Sequence, residues 1–129
     1  MKHAVIILLA LILTIPVLLL AEADNDRIEG VWFNGEKTSK IEIFRTKDGS
    51  FAGKIVWLKE PNNEQGKPKV DFKNPEEKLQ KRALMNLVIL TGMKSDGKSK
   101  YTSGKIYDPK SGKTYSYRFR NTGEGLALE

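Results

Sequence analysis

The tract Gly104-Lys-Ile-Tyr-Asp-Pro-Lys-Ser-Gly-Lys-Thr-Tyr115 constrains the fold most, because it reads as a strand, a tight turn and a strand in one short run. Asp108 and Pro109 suit the turn: proline pre-sets φ, and an Asp side chain caps backbone N–H groups just beyond itself. Gly112 supplies the left-handed conformation that closes a longer hairpin loop.

The same punctuation recurs along the chain. Lys47-Asp48-Gly49-Ser50 separates an apolar-alternating run at 41–46 from another at 51–58, and Ser95-Asp96-Gly97 separates 87–94 from 100–107. The Gly104–Tyr115 tract then returns the chain into 113–120. Strands joined in order by short turns are antiparallel neighbours, so the expected fold is all-β, an up-and-down meander. In the last of these strands Tyr115, Tyr117 and Phe119 fall on one face, opposite Thr114, Ser116, Arg118 and Arg120. Phe51, Ile55 and Trp57 are expected to share a face, with Gly53 between them where a bulky neighbour can approach. Residues 84–90 are apolar on both faces and read as a strand covered on both sides.

Between 59 and 82 the alternation fails. Pro61, Asn62, Asn63, Gly66 and Pro68 make a polar loop. Asn74-Pro75-Glu76-Glu77 then has the order of a helix start, with Asn74 as N-cap, a proline behind it and acids in the first turn. A short helix over 76–82 is the expectation.

Residues 1–23 read as a secretory signal peptide. Lys2 gives the positive start, residues 4–20 are almost wholly apolar, and Ala21-Glu22-Ala23 places small residues where a signal peptidase needs them. The competing reading is an uncleaved anchor, but the run is a little short of the ~20 residues that span a bilayer, and Pro16 interrupts it. With no cysteine anywhere, a lipid-modified cysteine is excluded and no disulfide can brace an exported domain. The expected product is a single domain, residues 24–129, in the periplasm or secreted.

The formal net charge of +6 comes from Lys and Arg scattered along the chain rather than from a basic cluster interleaved with aromatics. Scattered charge describes a solvated surface, which leaves attraction to an anionic envelope surface open and points away from nucleic acid. The only histidine is His3, inside the apolar leader. Ser-His-Asp and Cys-His nucleophilic catalysis, histidine-based metal sites and thiol redox chemistry are therefore outside the reach of residues 24–129. No catalytic residue, metal site or cofactor is expected. Asp71 and Asp108 are the remaining acids of interest, and a turn Asp such as Asp108 is usually structural. Arg82 is expected to bind an anion or, by preference, to pair with Glu76 or Glu77. Trp32, behind Gly30, reads first as a core plug whose N–H finds one partner.

With those residues in view, the chain resembles DUF2147, a family of exported bacterial proteins. The matching pieces are Gly30-Val-Trp32, Gly53-Lys-Ile-Val-Trp-Leu58, Asp71-Phe-Lys-Asn-Pro75, the 82–92 segment ending Val88-Ile-Leu-Thr-Gly92, and Gly104–Tyr115, in that order. The resemblance implies a small lipocalin-like (calycin-like) barrel. It departs at Ala83 and Asn86, and at Glu129, where the family's pattern continues into a further strand whose Arg packs over the early Trp. On that reading the barrel is incomplete, and its open edge invites strand pairing with another chain.

Three functions follow as expectations. The first is a binding protein for a small apolar or amphipathic ligand, lined by Phe51, Ile55, Trp57, Tyr115 and Tyr117, with Arg82 and Asp71 as polar contacts and Trp32, Gly30, Asn74, Asp108 and Gly112 as framework. The second is a structural or interaction module with a filled core. The third, ranked last, is a hydrolase using Asp71.

Overall fold

Each Asp-Gly pair turns the chain back on itself. At the first, Gly49 takes φ +85° and the Asp48 carboxylate accepts from the Ser50 N–H at 3.0 Å, the Ser50 hydroxyl at 2.7 Å and the Thr46 hydroxyl. In the Gly104–Tyr115 tract, Gly112 donates its N–H to Asp108 O at 2.8 Å with φ +72°. The structure, a computed structural model, describes residues 28–97, 100–121 and 126–128. The leader read as a signal peptide lies outside them.

These turns link seven strands among the described residues: β1 (Gly30–Phe33), β2 (Ser39–Arg45), β3 (Phe51–Leu58), β4 (Val88–Ser95), β5 (Lys100–Asp108), β6 (Lys113–Asn121) and β7 (Leu126–Leu128). They form one antiparallel sheet in chain order, the expected meander. Among the described residues the sheet stays open, since β1 and β7 each pair on one side only. It nevertheless curls: Lys110, in the β5–β6 turn, reaches Glu36, in the β1–β2 turn, at 3.5 Å.

The concave side holds the core. Ile41, Ile43, Phe51, Ile55, Leu90, Met93, Tyr101 and Phe119 are buried there. Each such side chain contributes roughly 1.5–3 kcal/mol by leaving water. Two glycines let these groups meet in the middle. A Cβ on Gly53 would stand 2.9 Å from Leu90 Cδ1, and one on Gly104 would stand 2.7 Å from the Phe119 ring. The expected approach at Gly53 is thus made by Leu90. Gly92 (φ +70°) and Ser103 (φ +63°) shift the facing of β4 and β5, so that Leu90 and Met93 both point inward.

Three local expectations are corrected. Lys40 pairs with Trp57 while Ile41 pairs with Ile55, so a bulge in β3 leaves Trp57 on the opposite face from Phe51 and Ile55. Residues 84–90 are not one doubly covered strand. Asn86 adopts φ +67° in a turn closed by Leu87 N–H to Leu84 O, β4 starts only at Val88, and Met85 and Val88 are exposed. The helix over 76–82 is a single 3-10 turn, Glu77–Leu79, whose N-cap position is Glu76, without a side-chain cap bond, and not Asn74. It cannot run on, because Ala83 must return to bridge Val70.

Candidate functional site

Among the described residues the β3–β4 excursion carries the one buried carboxylate network. Asp71 is 0% exposed. Its Oδ1 accepts from the Tyr107 hydroxyl at 2.6 Å, and its Oδ2 from Asn74 Nδ2 at 2.9 Å and from Arg82 Nε and Nη2, both at 3.0 Å. Every lone-pair direction that burial would orphan has a donor, as a buried charge requires. Burial first, and then the bond to the Asp71 carboxylate, push the Tyr107 hydroxyl up to about 12. The Arg82 guanidinium lies 5.9 Å from the Tyr107 ring centroid and remains partly open to water. Arg82 therefore pairs with Asp71, not with Glu76 or Glu77. Asn74 is the hinge of the loop: its Oδ1 accepts from Glu76 N–H at 2.8 Å, and its carbonyl from Gln80 Nε2 at 2.9 Å. An arrangement so saturated holds a loop in place and leaves Asp71 no free face for substrate.

A cleft of about 600 Å³ opens at the other end of the sheet, beside the β2–β3 turn. Its floor is apolar: Ile28, Phe51 and Tyr101, the last two meeting edge to face at 5.8 Å. Its rim is polar, with Arg45, Asp48, Ser50, Lys94 and Ser95. Arg45 pairs with Phe51 across the β2–β3 ladder, so it lies on the concave face, and its guanidinium sits 5.0 Å over the Phe51 ring. Glu29 approaches Arg45 at 3.8 Å with both side chains largely in water. Hydrogen bonds from Thr46 and Ser50 hold the Asp48 carboxyl down to about 2.

The residues expected to line one cavity are dispersed. Phe51 is on the cleft floor and Ile55 is in the core. Tyr115 and Tyr117 neighbour each other at 5.9 Å on β6, Tyr117 against the core and Tyr115 exposed. Trp57 sits on the outer face, edge-on to Phe33 at 6.2 Å, with the Lys40 ammonium about 5 Å from both rings. Trp32 packs against the core and donates its Nε1–H to Ile28 O at 2.7 Å. Gly30 opens β1 with φ +137°. Sequence reasoning passed over Arg45 and took Tyr101 and Tyr107 for cross-strand packing. Arg45 was readable, because it continues the inward alternation Ile41, Ile43. Among the described residues no group of three or more Asp, Glu, His or Cys side chains converges as a metal site would require.

This geometry has a counterpart among known proteins. Residues 30–129 match the model of DUF2147, described as an uncharacterized protein conserved in bacteria. The chain belongs to that family. A solved structure, HP1028 from Helicobacter pylori, described as belonging to the lipocalin family, superposes with a TM-score of 0.66. It is 28% identical, and the match covers 79% of this chain and 70% of that one. No curated protein matches the sequence. The DUF2147 chain is thus a lipocalin-like meander, and four of its matching pieces are now explained together. The Asp71–Pro75 and 82–92 pieces supply the buried carboxylate, its Arg and the start of β4. Gly104–Tyr115 supplies Tyr107 and the turn, and Gly53-Lys-Ile-Val-Trp-Leu58 is the strand from which the loop departs.

Proposed function

We propose that this DUF2147 protein is an exported binding protein that takes a small apolar or amphipathic ligand in the cleft beside the β2–β3 turn. One observation carries the reading: Phe51 and Tyr101 belong to the packed core and also form the floor of a cleft whose size suits a small molecule. The lipocalin-like fold is consistent with such a role. The middle of the curled sheet is filled at Gly53 and Gly104, which supports a ligand at the end of the sheet rather than along its axis. Export is proposed from the leader, Lys2 through Ala23. Titration with an apolar fluorescent naphthylamine should give saturable binding that Phe51→Arg removes while the far-UV spectrum is kept. A folded protein with no saturable signal, and no bound mass in native mass spectrometry after purification from its own envelope, would end the proposal. Amino-terminal sequencing of the same preparation should begin at Asp24.

The second reading is an interaction module, and it is favoured by the outer face. Phe33 is 53% and Trp57 38% exposed, an aromatic pair beside the open edge of β1. Cross-linking in the envelope that depends on Trp57, with no ligand in the cleft, would support this reading over the first.

A further inference from the structure

We infer that the cleft selects anionic amphiphiles, and that Arg45 holds the charged head group while the apolar part lies on Phe51 and Tyr101. The inference deepens the ligand-binding reading above and rests on it.

The argument begins with the placement of a charge. Along β2 the concave face runs Ile41, Ile43, Arg45, and the first two are buried core residues. Arg45 is the third step of an apolar row, placed where that row reaches the mouth of the cleft. Its aliphatic stem and guanidinium cover Phe51, so the charge lies at the border between apolar floor and water. A ligand of wholly apolar character gains nothing from a cation there. A carboxylate or phosphate does, because the guanidinium offers paired donors in one plane.

The two acids at the rim do not occupy that role. Asp48 is committed to its own turn, where one oxygen accepts from Ser50 N–H and from the Thr46 and Ser50 hydroxyls. Lys94, on the same rim, faces that carboxylate and offsets its charge. Among the described residues Glu29 is the acid paired with Arg45, at 3.8 Å with both side chains well hydrated. An exposed pair at such a distance is worth little, so an incoming anion can displace it. Ser95 adds a neutral hydroxyl beside the same mouth.

The test compares three ligands with the same tail, decanoate, decyl phosphate and decanol, by calorimetry at neutral pH. The wild-type protein should bind one or both of the anions about ten-fold more tightly than decanol, the gain expected of one charge-assisted contact. Arg45→Gln should erase that preference, bringing the ratio of anion to decanol affinity to about one. Glu29→Gln should strengthen anion binding about two-fold by removing the competitor. The better anion identifies the head group. Equal binding of all three ligands, or a preference that survives Arg45→Gln, overturns the inference and leaves the ligand-binding reading standing. If none of the three binds to protein that is folded, both fall.

Discussion

The Tyr107 hydroxyl donates to Asp71 Oδ1 at 2.6 Å across 36 residues of chain, and this bond ties the β3–β4 excursion to β5. Arg82 and Asn74 close the same carboxylate from the other side. Removing one member of a buried charge pair leaves the other without its partner. Asp71→Ala should therefore destabilise the fold by about 2–3 kcal/mol, below the usual range for a fully buried pair because Arg82 is partly hydrated. Tyr107→Phe removes one hydrogen bond and keeps the ring, and should cost about 1 kcal/mol. Urea unfolding of the two variants checks the order. An Asp71→Ala protein as stable as wild type would show that the loop is not held by this network.

A second tie has no side chain at all. Gly112 stands against the backbone of Lys73, and a Cβ there would lie 2.1 Å from the Lys73 carbonyl oxygen. Gly112→Ala is therefore penalised twice, by the left-handed φ of +72° and by collision with a carbonyl that Asp71 and Asn74 hold in place. The conformational part alone is about 1 kcal/mol. The variant should lose more than that, about 2 kcal/mol or above, and Gly49→Ala should lose only the conformational part, because nothing lies within 4 Å of a Cβ at Gly49. Thermal melts of the pair make the comparison.

Local chemistry was legible and long-range chemistry was not. The Asp48-Gly49, Asp96-Gly97 and Asp108–Gly112 turns, and the strands they bound, could be read because a turn is written in adjacent residues. The β3 run at 51–58 agrees residue for residue. The bulge that turns Trp57 outward was hidden, because it arises from the pairing of β3 with β2 at Lys40 and leaves no mark on β3's own alternation. Arg82 was assigned to Glu76 or Glu77, five or six residues away on a helix, and it found Asp71 eleven residues away once that helix proved to be one turn. The same limit concealed Tyr107, whose partner lies in another element.

Tyr107 should ionise late in alkaline titration. Its hydroxyl is raised to about 12 by burial and by the Asp71 carboxylate it serves. An unfolded tyrosine ionises near 10, so above that pH the unfolded chain releases a proton that the folded one keeps. The stabilising contribution is complete below pH 10 and declines as pH rises from 10 through 12. Absorbance at 295 nm should show a late step near pH 12 that Tyr107→Phe removes. If the step that Tyr107→Phe removes lies near pH 10 instead, in protein that is still folded, the geometry is contradicted.

Asp48 should behave in the opposite sense at the acid end. Hydrogen bonds from the Thr46 and Ser50 side chains, more than the charge of Lys94, bring it from 3.8 to about 2. The folded state therefore keeps Asp48 ionised where the unfolded chain is already protonated. The stability this provides is complete above about pH 4 and is lost as pH falls from there through 2. The site is open to water, so the effect on global stability is small and the clear readout is local. Carbon-detected titration should place Asp48 about two units below an ordinary surface aspartate. Thr46→Val with Ser50→Ala should return it toward 3.8, because both hydroxyl donors are lost while Lys94 remains. Salt should change the wild-type value little if hydrogen bonds dominate. A large upward move at 1 M NaCl, with the hydroxyls intact, would instead assign the shift to Lys94.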